Sequence, residues 1–155
     1  MAEIRIERTI EAPARRVWDI FSNLPGYEEW NPFIVRATGM LRREGTLNLT
    51  VVTQSGSRMN VNPFITSMER GRQVAWATST GPRWLFSRAT NFLIEPEGED
   101  RCKMTVSARF EGLLSPLRRG LISDLEAGYT VMLDALKARA ESGARAPGTA
   151  AAAAR

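Results

Sequence analysis

Apolar and polar residues alternate along the first segment, residues 3–11, with isoleucines on one face and charged side chains on the other. This period of two predicts a half-buried strand. Ala12-Pro13 ends the alternation and predicts a helix start, since proline is tolerated in a first turn. Apolar residues then recur at helical spacing up to Phe21, and residues 23–26 break that helix. Residues 27–30 are predicted to form a second short helix.

From Phe33 the period of two returns and continues to residue 111. Turn-rich joints separate the predicted strands, which favours an antiparallel meander. Pro63 lies inside one of these patterns and indicates an edge, a bulge or a bend, because it cannot donate to a strand ladder. The predicted strands cover residues 33–43, 46–54, 58–69, 73–79, 83–95 and 101–111.

Ser115-Pro116 is predicted to open a long helix, with serine as N-cap and proline in the first turn. One face of this helix is apolar, which predicts a docked amphipathic helix. The apolar stripe consists of Leu117, Leu121, Leu125, Tyr129, Met132 and Leu136. The domain is predicted to span residues 1–141. Residues 142–155 lack a core-forming pattern and are predicted to form a disordered, Ala-rich tail.

The order of elements predicts an α+β protein with a seven-stranded curved antiparallel sheet. The long C-terminal helix would cover its concave face, and the two short helices between strands 1 and 2 would close one end. A sheet curved enough to grip a helix leaves space beneath it unless large side chains fill that space.

Several residues in combination resemble the SRPBCC (START/Bet v 1-like) superfamily, in particular its polyketide cyclase/dehydrase-like branch. They are Ile10, Ala12, Pro13, Val17 and Trp18, then Trp30-Asn31-Pro32, Pro63, Gly71, Trp76, Phe92, Pro96, Phe110 and Gly112. The resemblance covers residues 3–141 and implies a helix-grip fold with a hydrophobic cavity. It does not fix a reaction, because this fold hosts carriers, sensors, cyclases and co-chaperone domains. Many relatives carry a His where this chain has Thr90.

The charge pattern does not favour a nucleic-acid partner. The formal net charge is +4, with 19 Arg against 2 Lys, but the arginines are scattered. A phosphate-binding face needs a clustered basic stripe. No apolar run approaches the roughly 20 residues of a membrane span, and the N-terminus lacks a signal-peptide core, so a cytoplasmic protein is predicted. A monomer or a homodimer fits the sequence equally well.

Few residues suited to catalysis are present. The chain has no His, which excludes Ser-His-Asp and Cys-His arrangements. Neither a metal site nor a cofactor is predicted, since His is absent and Cys102 is the single cysteine. Strand alternation predicts that Cys102 is a buried small hydrophobe rather than a nucleophile. Arg88, Tyr129 and Glu69 are the only candidates for acid-base roles.

Candidate ligand-binding residues are large or polar side chains on the predicted concave face and the inner face of the helix. Arg88 would need a partner if buried, either a carboxylate such as Glu69 or a polar group of a ligand. Gly128 would leave room for a ligand, allow a bend, or pack closely against a strand. The aromatic residues would either line a pocket or fill the core. The candidates are Trp76, Trp84, Phe86, Arg88, Phe92, Met104, Leu125, Tyr129 and Met132.

The sequence favours non-catalytic binding of a small apolar molecule (a lipid, a polyketide or an aromatic compound) for transport, storage or sensing. Pockets of this kind are mostly apolar with a few polar anchors. A polyketide cyclase/aromatase-like enzyme is the alternative, because holding a reactive chain in one conformation contributes to catalysis without His. A co-chaperone-like interaction module is the third possibility.

Overall fold

A computed structural model describes residues 2–79, 81–82 and 84–145 of the chain. The helices are α1 (Ala14–Ser22), α2 (Tyr27–Trp30) and α3 (Arg119–Arg145), with short 3₁₀ turns at Leu24–Gly26 and Ser115–Arg118. The strands are β1 (Ala2–Ile10), β2 (Ile34–Gly39), β3 (Leu47–Val52), β4 (Arg58–Val61), β5 (Phe64–Glu69), β6 (Gln73–Ser79), β7 (Ser87–Pro96) and β8 (Cys102–Glu111).

The strands form two antiparallel sheets rather than the predicted single sheet of seven. The larger sheet has the order β1-β8-β7-β6-β5, and the smaller sheet has the order β2-β3-β4. A long C-terminal helix and an antiparallel sheet are present, as the α+β prediction required. The predicted strand count was wrong because residues 58–69 form β4 and β5, which belong to different sheets.

Pro63 is the physical reason for that division. It has no backbone N–H to give to a ladder, and its carbonyl instead accepts a hydrogen bond from Leu47 N at 3.0 Å. Two residues after Pro63, Ile65 N donates to Gly45 O at 2.8 Å. A bridge between Thr46 and Phe64 also connects the two sheets. The chain therefore crosses from one sheet to the other at Asn62-Pro63, where the sequence indicated an edge, a bulge or a bend.

β7 begins at Ser87, four residues after the predicted start, because the chain turns before it, where Leu85 N donates to Pro82 O at 2.9 Å. Trp84 is therefore outside the strand, and its predicted place on the concave face was wrong. Within β7 the predicted alternation is confirmed. Its buried face carries Arg88, Thr90, Phe92 and Ile94.

α3 packs its inner face on the larger sheet and is fixed to β1 by polar contacts. Arg8 Nε lies 2.7 Å from Asp134 Oδ1, and Lys137 Nζ donates to Thr9 O at 2.7 Å. The buried residues of α3 are Leu125, Tyr129, Met132, Leu133, Leu136 and Ala140. No helix within the described residues is long and apolar enough to cross a membrane.

The long helix differs from the prediction at both of its ends. Ser115 is buried in a 3₁₀ turn whose N-cap is Leu114, without a side-chain cap, so the serine N-cap prediction was wrong. Leu117 belongs to the same turn and is 80% exposed, so it is not part of the buried stripe. At the other end α3 includes residues 142–145, the first part of the predicted tail. Residues 146–155 lie outside the described residues.

Candidate functional site

A cavity of about 620 Å³ lies at the end of the fold where the two sheets and the start of α3 meet. Pockets of several hundred cubic ångströms are the usual size for small-molecule binding. Its apolar lining residues are Met59, Val61, Phe64, Ala77, Phe86 and Leu121. Its polar lining residues are Asn60, Asn62, Thr78, Ser79, Arg88 and Arg118.

Arg88 is the buried charge of this cavity. Alternation along β7 directs its side chain to the concave face, beside its cross-strand neighbour Thr78. The residue is only 8% exposed, and among the described residues its Nε has no hydrogen-bond partner. The ion pair with Glu69 that the sequence suggested is not formed, because Glu69 lies near Arg72 at the far end of β5, with 3.7 Å between their charged groups.

Arg118 brings a second cation to the same cavity. Its guanidinium carbon Cζ lies 5.1 Å from the centroid of the Phe86 ring, which is a cation–π geometry. Phe86 is 4% exposed and lies just before β7, whereas Arg118 is half-buried at the end of the 3₁₀ turn. Two segments distant in sequence thus place an aromatic face and a guanidinium together at the cavity wall.

Backbone hydrogen bonds hold these two segments in register. Leu113 N donates to Trp84 O at 3.0 Å, and Leu114 N donates to Leu85 O at 2.9 Å. Gly112 makes this approach possible, because it has a φ of +114° and a Cβ there would lie 2.4 Å from Leu85 O. The position of Arg118 over Phe86 therefore depends on a glycine that the family resemblance already included.

Six of the predicted ligand-binding residues are core residues that do not line this cavity. Trp76, Phe92 and Tyr129 are each at most 3% exposed, with ring centroids 4.7 Å apart for Trp76–Phe92 and 5.9 Å apart for Phe92–Tyr129. Met104, Leu125 and Met132 are at most 1% exposed. The aromatic side chains at the centre of the grip therefore fill the space beneath the helix. Only Phe86 and Arg88 of the nine predicted residues line the cavity.

Gly128 accommodates a side chain of the protein rather than a ligand. A Cβ at this position would lie 2.1 Å from Phe33 Cε1, and Phe33 packs against Tyr129 with 4.9 Å between ring centroids. Asn31 orients this segment, because its Oδ1 accepts hydrogen bonds from Phe33 N at 2.9 Å and Ile34 N at 2.8 Å. Close packing is thus the reason for the glycine, although its neighbour lies just before β2 rather than in a strand.

Trp84 lies on the surface, 65% exposed, and its carbonyl accepts a hydrogen bond from the exposed residue Leu113. It does not line the cavity. The interaction-module hypothesis requires exposed apolar residues, and Trp84, Leu113 and Leu117 are exposed. That hypothesis also requires a filled core, whereas this fold contains a cavity that the three residues do not line.

Sequence reasoning missed the contributions of β4, the β4–β5 connection and the start of α3. Met59, Val61 and Phe64 line the cavity because the chain changes sheets at Pro63. The Pro63 break was the available signal, but it did not show which sheet each half would join. Arg118 and Leu121 are three residues apart, a spacing that places side chains on one helix face, and this signal was present in the sequence.

The cavity offers hydrogen-bond donors and positive charge but no carboxylate among its lining residues. Among the described residues, the pKa values of two side chains clearly depart from their ordinary range, and neither side chain lines the cavity. Burial raises the pKa of Tyr27, and burial together with the charge of Glu97 raises the pKa of Cys102 to about 11. Within the described residues no three His, Cys, Asp or Glu side chains come together as a metal site would require. Cys102 is buried, as predicted.

Comparison with known proteins agrees with the fold. The sequence matches the family described as "Polyketide cyclase / dehydrase and lipid transport" over residues 1–141. Among proteins of curated function, no match was found. The solved structure of Zhui aromatase/cyclase from Streptomyces sp. R1128 is similar, with a TM-score of 0.78, 16% identity and coverage of 95% of this chain and 98% of that chain.

Two further solved structures show the same architecture. A START superfamily protein from Mycobacterium smegmatis has a TM-score of 0.69 and 21% identity, covering 90% of this chain and 97% of that chain. The di-domain ARO/CYC BexL has a TM-score of 0.66 and 14% identity, covering 90% of this chain and 50% of that chain. At these identities the likeness establishes the fold alone. The match over residues 1–141 confirms the resemblance seen in the sequence, and the chain belongs to the polyketide cyclase/dehydrase and lipid transport family of the SRPBCC superfamily.

Proposed function

We propose that this protein binds a small apolar or aromatic molecule in the cavity beside the start of α3, as a carrier or sensor. The observation that carries the proposal is the cavity itself, about 620 Å³ with apolar walls from both sheets and from α3. Such a volume accommodates a drug-sized molecule, and a lining with equal numbers of apolar and polar residues suits an apolar body that carries polar groups.

A cyclase/aromatase-like reaction is the second candidate, favoured by the two guanidinium groups at the cavity. Cations and hydrogen-bond donors stabilise the developing negative charge on a carbonyl oxygen. A proton abstraction would also need a base within reach of the substrate. The lining residues include no carboxylate, and the chain has no His. Non-catalytic binding is therefore the simpler function for these groups.

Native mass spectrometry of the purified protein, before and after denaturation, tests the proposal most directly. A co-purified apolar molecule that is lost on unfolding supports it. Binding of N-phenyl-1-naphthylamine, a neutral fluorescent probe, provides a second measurement when the protein is purified empty. A polyketide released chemically unchanged after incubation supports a carrier, whereas its conversion with loss of water would favour the enzyme.

A matched pair of variants locates the binding site. Thr78→Trp places a large ring at the cavity wall beside Arg88, whereas Ala75→Trp, three residues earlier, points to the opposite face of β6. We expect Thr78→Trp to weaken binding of the neutral probe about tenfold, since an occupied volume excludes the ligand, and Ala75→Trp to change it by less than about twofold. Absence of saturable binding by the wild-type protein, or equal binding by both variants, would contradict the proposal.

A further inference from the structure

Arg88 carries a charge that the protein itself does not balance. A guanidinium stays protonated at any physiological pH, and a buried charge is costly unless it is paired. Arg88 is 8% exposed, its Nε has no hydrogen-bond partner, and no carboxylate among the described residues lies within ion-pair distance of it. Its cross-strand neighbours are Thr78 and Phe110, neither of which is acidic.

Several surface arginines, unlike Arg88, have a carboxylate partner. Five of them lie within 2.7 to 3.7 Å of a carboxylate oxygen although at least one third of each side chain is exposed. They are Arg5, Arg8, Arg72, Arg101 and Arg139. Other exposed arginines, such as Arg15 and Arg36, have no ion pair within the described residues, but water solvates their charge. Arg88 differs from them because its unpaired charge is buried. Arg16 also has a buried Nε without a partner, but that residue is half-buried and does not line the cavity.

A second cation adds to the positive potential of the cavity. Arg118 lies over the Phe86 ring in the same wall and has no carboxylate within ion-pair distance among the described residues. Glu111 lines a neighbouring cavity of about 440 Å³ that Arg88 also borders, but it does not line this one. Charges in a poorly solvated cavity interact more strongly than the same charges in water.

We infer that the cavity ligand carries an anionic group, a carboxylate, sulfonate or phosphate, attached to an apolar or aromatic body. Arg88 is the anchor for that group, because a planar guanidinium binds such anions with two hydrogen bonds. Arg118 adds a second positive charge, and the apolar walls contact the body of the ligand. This inference rests on the proposed function and specifies the chemical class of its ligand.

A pair of fluorescent probes that differ by one sulfonate tests the inference. 8-Anilino-1-naphthalenesulfonate is the anionic probe, and N-phenyl-1-naphthylamine is its neutral counterpart. We expect the wild-type protein to bind the anionic probe at least tenfold more tightly. Arg88→Met should weaken binding of the anionic probe about tenfold or more, as loss of a charged hydrogen bond implies, and change binding of the neutral probe less than twofold.

Two other variants complete the design. Arg118→Met, at the half-buried wall, should weaken binding of the anionic probe several-fold and keeps the test available if Arg88→Met folds poorly. Arg109→Met removes one exposed positive charge that does not line this cavity, and it should leave both affinities unchanged.

Each outcome has a distinct meaning. If neither probe binds to the wild-type protein, the proposed function fails. If both probes bind equally well and the two cavity variants weaken them equally, the cavity binds apolar molecules and the inference about the anion is wrong. Inorganic sulfate that competes with the anionic probe at equal concentration would also overturn the inference, since it would indicate a simple anion site without a contribution from the apolar walls.

Discussion

Gly128 offers a sharp test of how the core is packed, because two effects of replacing it by alanine have opposite signs. Alanine is favoured over glycine in a helix interior by about 1 kcal/mol, so Gly128→Ala would stabilise the protein if the space were open. The added Cβ would instead lie 2.1 Å from Phe33 Cε1 and 2.2 Å from Phe33 Cδ1. Real Cβ atoms do not approach so closely, and either the ring or the helix must move.

Movement of the Phe33 ring is restricted. The residue is 1% exposed, its ring packs against Tyr129, and Asn31 fixes the backbone on its N-terminal side. Overpacking a well-filled core costs about 1–3 kcal/mol. A Cβ contact as short as 2.1 Å places the cost in the upper part of that range, about 2–3 kcal/mol. Subtracting about 1 kcal/mol for the gain in helix propensity, we expect Gly128→Ala to lower the free energy of unfolding by about 1–2 kcal/mol. For a protein of this size, each kcal/mol corresponds to roughly 2–4 °C in Tm.

Gly120 is the matched control in the same helix. A Cβ at Gly120 meets no heavy atom within 4 Å, so Gly120→Ala should leave stability unchanged or raise it by up to about 1 kcal/mol. Urea unfolding followed by far-UV circular dichroism measures both variants, and an unchanged m-value shows that they unfold alike. A double-mutant cycle with Phe33→Leu should give a coupling energy of about 1 kcal/mol or more. If Gly128→Ala were as stable as wild type while Gly120→Ala gained stability, the packing argument would be wrong.

Three further substitutions test buried polar groups. Tyr27→Phe removes a buried hydroxyl that donates to Phe21 O at 2.6 Å and should lower the free energy of unfolding by about 0.5–1.5 kcal/mol, measured by urea unfolding. The pKa of the Cys102 thiol is raised to about 11, so the unfolded chain loses the thiol proton at a lower pH than the folded protein does. The protonated thiol therefore contributes stability below about pH 9, and this contribution is lost as the pH rises toward 11. Cys102→Ala should abolish that part of the pH dependence, and a disulfide reagent at about pH 8 should not modify the native thiol. Arg88→Met should raise the stability of the ligand-free protein by about 1–3 kcal/mol, because it removes an unpaired buried charge, and a loss of more than about 1 kcal/mol would show that the guanidinium is already satisfied.

Local alternation was sufficient to predict which way side chains point within a strand. Arg88, Thr90 and Phe92 face the interior as the period of two required, and the inner face of α3 is buried from Leu125 onward. These features follow from backbone geometry over a few residues, since side chains repeat every two positions in a strand and every 3.6 in a helix. The same periodicity, together with the turn signals, predicted the order of elements and the long covering helix, and the family resemblance implied the helix-grip fold.

Features that depend on contacts between distant segments could not be predicted from the sequence. The pattern marked Pro63 as irregular, but which sheet each flanking strand joins is decided by pairing with Leu49 and Ala77. The role of Gly128 depends on Phe33, which is remote in sequence. Whether aromatic residues fill or line a cavity is likewise a matter of packing between elements, because the same strand pattern is compatible with both.

The two ends of the concave space differ in whether a buried charge is left without a partner. This difference supports a ligand position beside Arg88. Around Phe92, aromatic rings pack against one another, and the buried Thr90 Oγ1 that lacks a hydrogen-bond partner there is uncharged. Around Arg88, a charge is buried without a partner and an open volume lies beside it. Natural sequences depart from full satisfaction of buried polar groups mainly at functional sites. A ligand that pairs with Arg88 would balance its buried charge and occupy the open volume, whereas a ligand at the aromatic core would have to displace side chains that already pack well.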